Sequence, residues 1–565
     1  MARRRAGRHA RNVRRFTPRR WLPFLVLLGV VAATVAVGEQ VDDRADPDVV
    51  VTRPAALLPV AAVPDPISTT WFCGGGTATG AGEGADLSVV IANAEADAAR
   101  AVVTFYGDGT DPVVETVDVP VHDRVRVRAR DVAPGAWAAA TVEVVGGRPT
   151  VERRVDGGDG FEVAPCASAA SSTWYLPSGS TLRGATETLF LFNPFPDATS
   201  VDVTFATDEG ALSPQDLTGV AIPPRSLRVI TVENPARRRE VAATVTTRTG
   251  RIVVDRLQTY DGTGDPVVGG GDTPLETGPP RGVASTAGSA TASPRWFFPD
   301  VRIAFASRTQ LAVLNPSEDD ADLELAVGFA DPDLYEPIDP ITISVDAGEQ
   351  AVVDLTDDVD FQPGMELTLD LRSVDGVPVV AELVWLVGER DDQEADAVAV
   401  EEMAGPDGEE VAPDAEPDPD AEEPEGEGGD GDDGEGAGFG IYAPGVGVTA
   451  GSPVAARSWF LAGRGADAAI TAEIVVANPT DRPVAVSVVE LVDGRRRELP
   501  GASVTVPAGG RVTLELAEAE PGSPLLIDGD GPVVVGRTLW ATTGRGLSID
   551  LATPWPDQVV PLPAG

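Results

Sequence analysis

Residues 174–194 read WYLPSGSTLRGATETLFLFNP, opening on a Trp-aromatic pair and closing on a hydrophobic strand that runs into Asn-Pro. Three other places repeat the frame: Trp71-Phe72 with Asn93, Trp296-Phe297 with Asn315-Pro316, and Trp459-Phe460 with Asn478-Pro479. Trp174 and Asn193 are 19 positions apart, as are the pairs in the third and fourth copies, while Trp71 and Asn93 are 22 apart. A frame that recurs at fixed spacing predicts an array of related modules rather than one large domain.

Other positions keep the register. Eight and ten residues after the Asn stand Ala101 and Val103, Val201 and Val203, Leu323 and Leu325, Val486 and Val488. Period-two alternation there puts one face in a core and leaves Asp202 and Glu324 on the other. A turn and a strand come next, VPVHDRVRV (119–127) in the first copy and VPAGGRVTL (506–514) in the last. A later strand begins after a Gly: GRIVVDRLQTY (250–260), GVPVVAELVW (376–385) and GPVVVGRTLW (531–540), with the weaker GRPTVERRV (147–155) in the first copy. Seven or so short strands per hundred residues predict an all-β chain of tandem immunoglobulin-like sandwiches. Their expected bounds are 68–168, 169–292, 293–455 and 456–565.

Ahead of the modules, residues 1–20 hold nine Arg and no acidic residue. They lead into the uncharged run WLPFLVLLGVVAATVAVG (21–38), about long enough to cross a bilayer as a helix. The Arg cluster would keep the N-terminus in the cytoplasm and send the rest outside. A cleaved signal peptide is the rival; the long basic segment and the lack of a small-x-small site before Glu39 favour an uncleaved anchor. Residues 39–67, acidic and Pro-containing, read as a stalk.

The chain has a net charge of −46, so the part beyond the nine Arg of the basic tail carries −55. Such a surface repels nucleic acid and anionic lipid, leaving the membrane that holds residues 21–38, envelope proteins and wall glycans as partners. Acidic residues number 21 between Asp391 and Glu435, with no basic one. That composition cannot form a core, and the insertion 391–438 is expected to stay solvated and to bind divalent cations weakly. It could be an interdomain linker. The strands GVASTAGS (282–289) and GVGVTAGS (445–452), each ending seven residues before the next Trp, favour instead a loop between two strands of one module.

The residues point to no catalytic chemistry. His9 lies in the basic tail and His122 in a turn where the last module has Gly509, so neither a His-based triad nor a multi-His zinc site can be built. Asp and Glu are too common here to single out a pair, and no cofactor motif is present. Cys73 and Cys166, the only cysteines, stand at the two ends of one exported module and predict a disulfide, worth roughly 4–5 kcal/mol in the chain-entropy model. Trp71, Trp174, Trp296 and Trp459 are expected to plug sandwich cores; stacking on glycans would need them exposed. Asn93, Asn193, Asn315 and Asn478 are expected to bond nearby backbone in the turn after the second strand.

With its Arg-rich tail, single span and modules opening Ser68-Thr69-Thr70-Trp71-Phe72 and Ser171-Ser172-Thr173-Trp174-Tyr175, the chain resembles an actinobacterial exported family of unknown function. The third and fourth modules depart at the start, with Ser293-Pro294-Arg295 and Ala456-Arg457-Ser458 before the Trp, and Asn93 is followed by Ala94 and not Pro. The resemblance implies a cell-envelope protein with β-sandwich domains and brings no catalytic residues. A non-enzymatic role in scaffolding, adhesion or ligand binding is the leading expectation. A subunit that binds wall glycans for a glycan-assembly system is the alternative, and a carboxylate-based hydrolase is the remote one.

Overall fold

Strands 85–93, 99–106 and 135–145 carry the alternating and continuous apolar runs of the first copy, and they build the centre of two sheets. A computed structural model describes residues 58–61, 67–80, 84–107, 109–267, 278–304, 306–330, 335, 337–356, 359, 361–389, 442–463, 469–514, 516 and 519–562. The basic tail, the expected span 21–38, most of the stalk and the acidic insertion 391–438 lie outside the described residues.

In the first module the strands are β1 (Ser68–Ala78), β2 (Ala85–Asn93), β3 (Ala99–Tyr106), β4 (Val113–Val119), β5 (Asp123–Arg128), β6 (Gly135–Val145), β7 (Pro149–Gly157) and β8 (Gly160–Pro165). One sheet runs β4-β3-β6-β1; β5, β2, β7 and β8 lie side by side in the other, and a single parallel contact, Thr77 to Asp86, joins them. Two further sets of strands repeat both orders, with their eighth strands at Arg281–Ala287 and Gly445–Ala450. In the fourth, one long strand, Leu525–Ala541, serves as sixth in one sheet and seventh in the other. Each module thus has an eighth strand beyond the seven or so expected. GRPTVERRV, the weak stretch, is a full strand paired with β2 and β8.

The third module's seventh strand, Val380–Val387, pairs antiparallel with its eighth, Gly445–Ala450. The acidic stretch therefore joins two neighbouring strands of one sheet and is not an interdomain linker.

The repeated residues explain the local folding. All four leading Trp are buried, at 1%, 3%, 0% and 0% exposure in chain order. Three of them donate their indole N–H to a carbonyl at the start of the seventh strand: Trp174 to Ile252 (2.9 Å), Trp296 to Val379 (2.7 Å) and Trp459 to Val533 (3.0 Å). The Trp71 indole N–H has no such partner. Each repeated Asn is buried and holds two turns together. Asn193 accepts from the N–H of Phe195 (3.1 Å) and donates to Asp197 O (2.8 Å) and to Pro223 O (3.0 Å) in the turn between the fourth and fifth strands. Asn93, Asn315 and Asn478 make the same set of bonds. His122 lies in that turn with φ +46°, where Gly348 and Gly509 have +74° and +66° and Arg225 has +51°, so the position requires the left-handed region whatever occupies it.

Cys73 and Cys166 form a disulfide, with Cα atoms 4.8 Å apart. In the second and third modules the equivalent positions pair a large side chain with a glycine; in the fourth they are Leu461 and Ala552. A Cβ on Gly288 would stand 3.5 Å from Leu176, and one on Gly451 would stand 2.8 Å from the Phe298 ring. The recurrent Ala-Gly-Ser is explained by this contact, and its Ser continues into a bridge with the first strand: Tyr175 with Ser289, Phe297 with Ser452.

Candidate functional site

The features that the sequence repeats serve the inside of each sandwich. The seventh strands do something else. Counting back from the repeated Asn, the residues three places earlier (Val90, Phe190, Ala312, Val475) pair with Glu152, Asp255, Glu382 and Gly536. Those four places earlier pair with Arg153, Arg256, Leu383 and Arg537. Each seventh strand therefore carries an acid-Arg couplet, except the third, which lacks the Arg, and the fourth, which lacks the acid.

The couplets join modules in a cycle. Arg153 of the first module donates to Asp255 of the second (2.6 Å) and to Ser285 O (2.9 Å). Arg256 of the second donates to Glu382 of the third (3.0 Å) and to Thr286 Oγ1 (2.9 Å). Arg537 of the fourth returns to Glu152 of the first (3.2 and 3.3 Å) and also grips Asp550 (2.6 and 3.0 Å). All these side chains are buried. Two of the acids also meet the backbone just past the preceding module's first strand: Glu382 accepts, through the same Oε2 that takes Arg256, from the Ser178 N–H (3.1 Å) and hydroxyl (2.7 Å), and Glu152 accepts through Oε1 from the Ala462 N–H (2.8 Å).

Between the third and fourth modules both partners are missing, Leu383 on one side and Gly536 on the other. Asp300, on the third module's first strand, fills that place: a Cβ on Gly536 would stand 3.6 Å from the Asp300 Cβ. Asp300 accepts from Arg302 (3.0 Å) and Thr538 Oγ1 (2.7 Å) and pairs with Arg511 of the fourth module (3.2 Å). Burial would raise its pKa, but Arg302 and Arg511 outweigh that and hold it below the usual carboxylate range. The modules are tandem in sequence and a ring in space, the last touching the first, within one compact unit spanning Pro54–Gly565.

The eighth strands line the axis of this ring. Four glycines, Gly160, Gly282, Gly445 and Gly546, hold the same place, four residues before the partner of the couplet's second residue. There the backbones of neighbouring modules touch. A Cβ on Gly282 would stand 2.8 Å from Val446 N, one on Gly445 2.7 Å from Leu547 N, and one on Gly160 3.3 Å from Gly546 Cα. No side chain fits at such contacts, which is the reason for glycine.

Where the eighth strands end, a cavity of about 100 Å³ opens on the axis. Its walls come from all four modules, chiefly small and apolar residues such as Ala164, Ala287, Ala450 and Ala552, together with Trp174, Arg153 and Asp550. Leu58 and Pro59 also line it, and their segment ties the first module to the fourth. The Val60 N–H donates to Ser168 Oγ (3.0 Å) and the Ala61 N–H to Pro554 O (2.9 Å).

The electrostatics of the axis are those of a sealed interior. Burial pushes Asp550 up to about 7 against the pull of Arg537, and pushes Glu162 well above the carboxylate range despite a bond from Ser548. Burial alone would lower Arg537, but Asp550 and Glu152 outweigh it and hold it above the usual arginine range. A protonated Glu162 is a poor cation ligand, and no metal-binding cluster of His, Cys, Asp or Glu occurs among the described residues. The leading Trp are too buried to stack on a glycan, and His122 lies off the axis in its turn.

The axial residues escape a reading of the sequence because charged side chains in a strand count against its burial. Their signal is present: ER, DR, EL and GR recur at one place in the repeat, and the Arg and its acid in the following module are lost together.

No curated protein matches the chain. Among solved structures, a crystal structure of Thermotoga maritima 1070 is 21% identical over 18% of this chain and 86% of that one, with a TM-score of 0.15. The Streptomyces avermitilis α-L-rhamnosidase complexed with L-rhamnose is 11% identical over 80% of this chain and 55% of that one, with a TM-score of 0.11. Over residues 145–416, a stretch that holds Arg153, Asp255, Arg256 and Glu382, the chain matches the model of DUF5719, a family of unknown function.

Proposed function

We propose that the chain is a non-enzymatic scaffold of the cell envelope, in which four immunoglobulin-like modules, anchored by residues 21–38 and exported, act as one rigid ring that presents its outer surfaces to partners. The observation that supports this reading is the cycle of buried Arg–carboxylate contacts. The charged groups of the seventh strands join the first module to the second, the second to the third and the fourth to the first, and the Asp300–Arg511 pair joins the third to the fourth. Contacts of this kind add little to net stability and instead specify one arrangement, because every alternative leaves a buried charge unpaired. The disulfide and the anchor suit an exported protein.

The test is protease access on intact cells making the full chain with a tag at each end. The expected result is an exposed C-terminal tag and a protected N-terminal one, on a full-length chain. A C-terminal tag that is protected until the cells are lysed would overturn the proposal.

A further inference from the structure

A second cavity lies away from the axis, between the outer face of the third module's sheet and the loops of the second. It is a small cleft, with about 140 Å³ of enclosed space. One wall is the strand pair Ser307–Leu314 and Gln350–Asp354, whose outward side chains Arg308, Gln310, Ala312, Gln350 and Val352 line it. The other wall is Ser178–Ala185 of the second module, with Tyr260 beside it.

The chemistry of this cleft is unusual for the chain. Gln350 has both its amide oxygen and its amide nitrogen shielded from solvent and without a hydrogen-bond partner. Each such group costs about 1–3 kcal/mol when unmatched. Its neighbours on that wall are already committed: Asp354 takes the Arg308 Nε at 3.0 Å and the Gln310 amide at 3.4 Å. Across the cleft, Ser180 is fixed by Gln258, which accepts from its N–H at 3.1 Å and donates to its carbonyl at 3.0 Å. Behind Gly179, Glu187 is fully buried with both carboxyl oxygens unmatched, and a Cβ on Gly179 would stand 2.9 Å from its carboxyl carbon. Ala312, Val352, Val384 and Leu386 give the cleft apolar patches.

Charge narrows the ligand. Arg183 and Arg239 at the rim are offset by Glu240 and Asp265, and Arg308 by Asp354, so the cleft is close to neutral in a chain of net charge −46. A metal ion would need converging carboxylates, and an anion would need an excess of Arg. A free amide offers an acceptor beside a donor, which neighbouring hydroxyls of a sugar ring match at once, while the apolar patches suit the C–H faces of that ring.

We infer that the cleft between the second and third modules binds a neutral saccharide, held by the Gln350 amide. This goes beyond the ring scaffold and is independent of it, since binding is measured on the purified full chain whatever its location.

The experiment is calorimetry with short neutral oligosaccharides of hexoses, pentoses and N-acetylhexosamines, the matching uronic acid oligosaccharides, and calcium chloride alone. A neutral saccharide should bind with Kd below about 1 mM, and Gln350→Leu should weaken it at least about tenfold. Because the amide has no partner among the protein's own described groups, Q350L should leave the Tm unchanged or raise it. Absence of neutral saccharide binding, binding confined to the charged probes, or binding that Q350L does not weaken would each overturn the assignment. So would a lowered Tm in Q350L, which would mark the amide as structural.

Discussion

The contact that closes the ring can be broken from either side, and the two sides should not cost the same. Glu152→Ala removes two charge-assisted bonds to Arg537 and the acceptor of the Ala462 N–H, but Arg537 keeps Asp550. At about 1.5–3 kcal/mol for a bond to a charged group, partly offset by the retained pair, the loss should be about 3 kcal/mol. Arg537→Met strands two buried carboxylates, Glu152 and Asp550, and should cost about 4–5 kcal/mol. The double variant removes the stranded Glu152 as well, so its loss should fall short of the sum by about 2 kcal/mol. Arg537 pulls the Asp550 pKa down, so in R537M that acid moves further above 7. Its proton is then favoured in the fold and lost as pH rises, which makes the R537M defect smaller at pH 5 than at pH 8.

Urea unfolding followed by Trp fluorescence gives the energies, and amide exchange gives their location. Ring closure predicts that R537M, in the fourth module, lowers protection in residues 149–157 of the first. Additivity of the two substitutions within about 0.5 kcal/mol, with protection lost in the fourth module alone, would refute the reasoning.

Three further outcomes are expected from the geometry. Burial raises the Glu187 pKa from 4.5 to about 8, so the fold favours its protonated form and that contribution fades as pH climbs from about 4.5 through 8. Glu187→Gln should match the parent near pH 5 and exceed it in Tm near pH 9, and parallel Tm curves would contradict this. Replacing Cys73 and Cys166 by Ser opens a crosslink spanning 93 positions and should cost about 4–5 kcal/mol in the chain-entropy model, read as a lower urea midpoint than the oxidised parent. Gly445→Ala puts a methyl 2.7 Å from Leu547 N and should destabilise by about 1–3 kcal/mol, while the same change at Gly501, where the added carbon meets nothing, should be near neutral.

What could be read from the sequence was whatever repeats for reasons internal to one module. Trp174 and Asn193 recur because every sandwich needs the same core plug and the same tied turns, and both carry a period and a spacing. The hairpin on either side of the acidic stretch was legible through its Ala-Gly-Ser, although the reason for that glycine, the Phe298 ring over Gly451, was not. The ring was hidden for a physical reason. Arg153, Arg256 and Arg537 are buried by a neighbouring module, and nothing in one module's hydrophobic pattern reports what another will cover. Glu152-Arg153-Arg154 accordingly made its strand look the weakest of the four. The Asp300 substitution was further hidden because its carboxylate moved from a seventh strand to a first.

Ring closure also sets an order in time. Glu152 and Arg537 are 385 positions apart, and at about 5–20 residues per second of synthesis the arginine emerges about 20–80 s after its carboxylate. If the first module folds as a unit when it emerges, the outer side of its seventh strand faces water over that interval. A hydrated Glu152 there keeps the waiting surface soluble, where an apolar residue would invite premature association. The acid that specifies the finished ring thus guards the unfinished one, and an apolar replacement should reveal itself during biogenesis, as aggregation of nascent chains, before it does so in the stability of the finished protein.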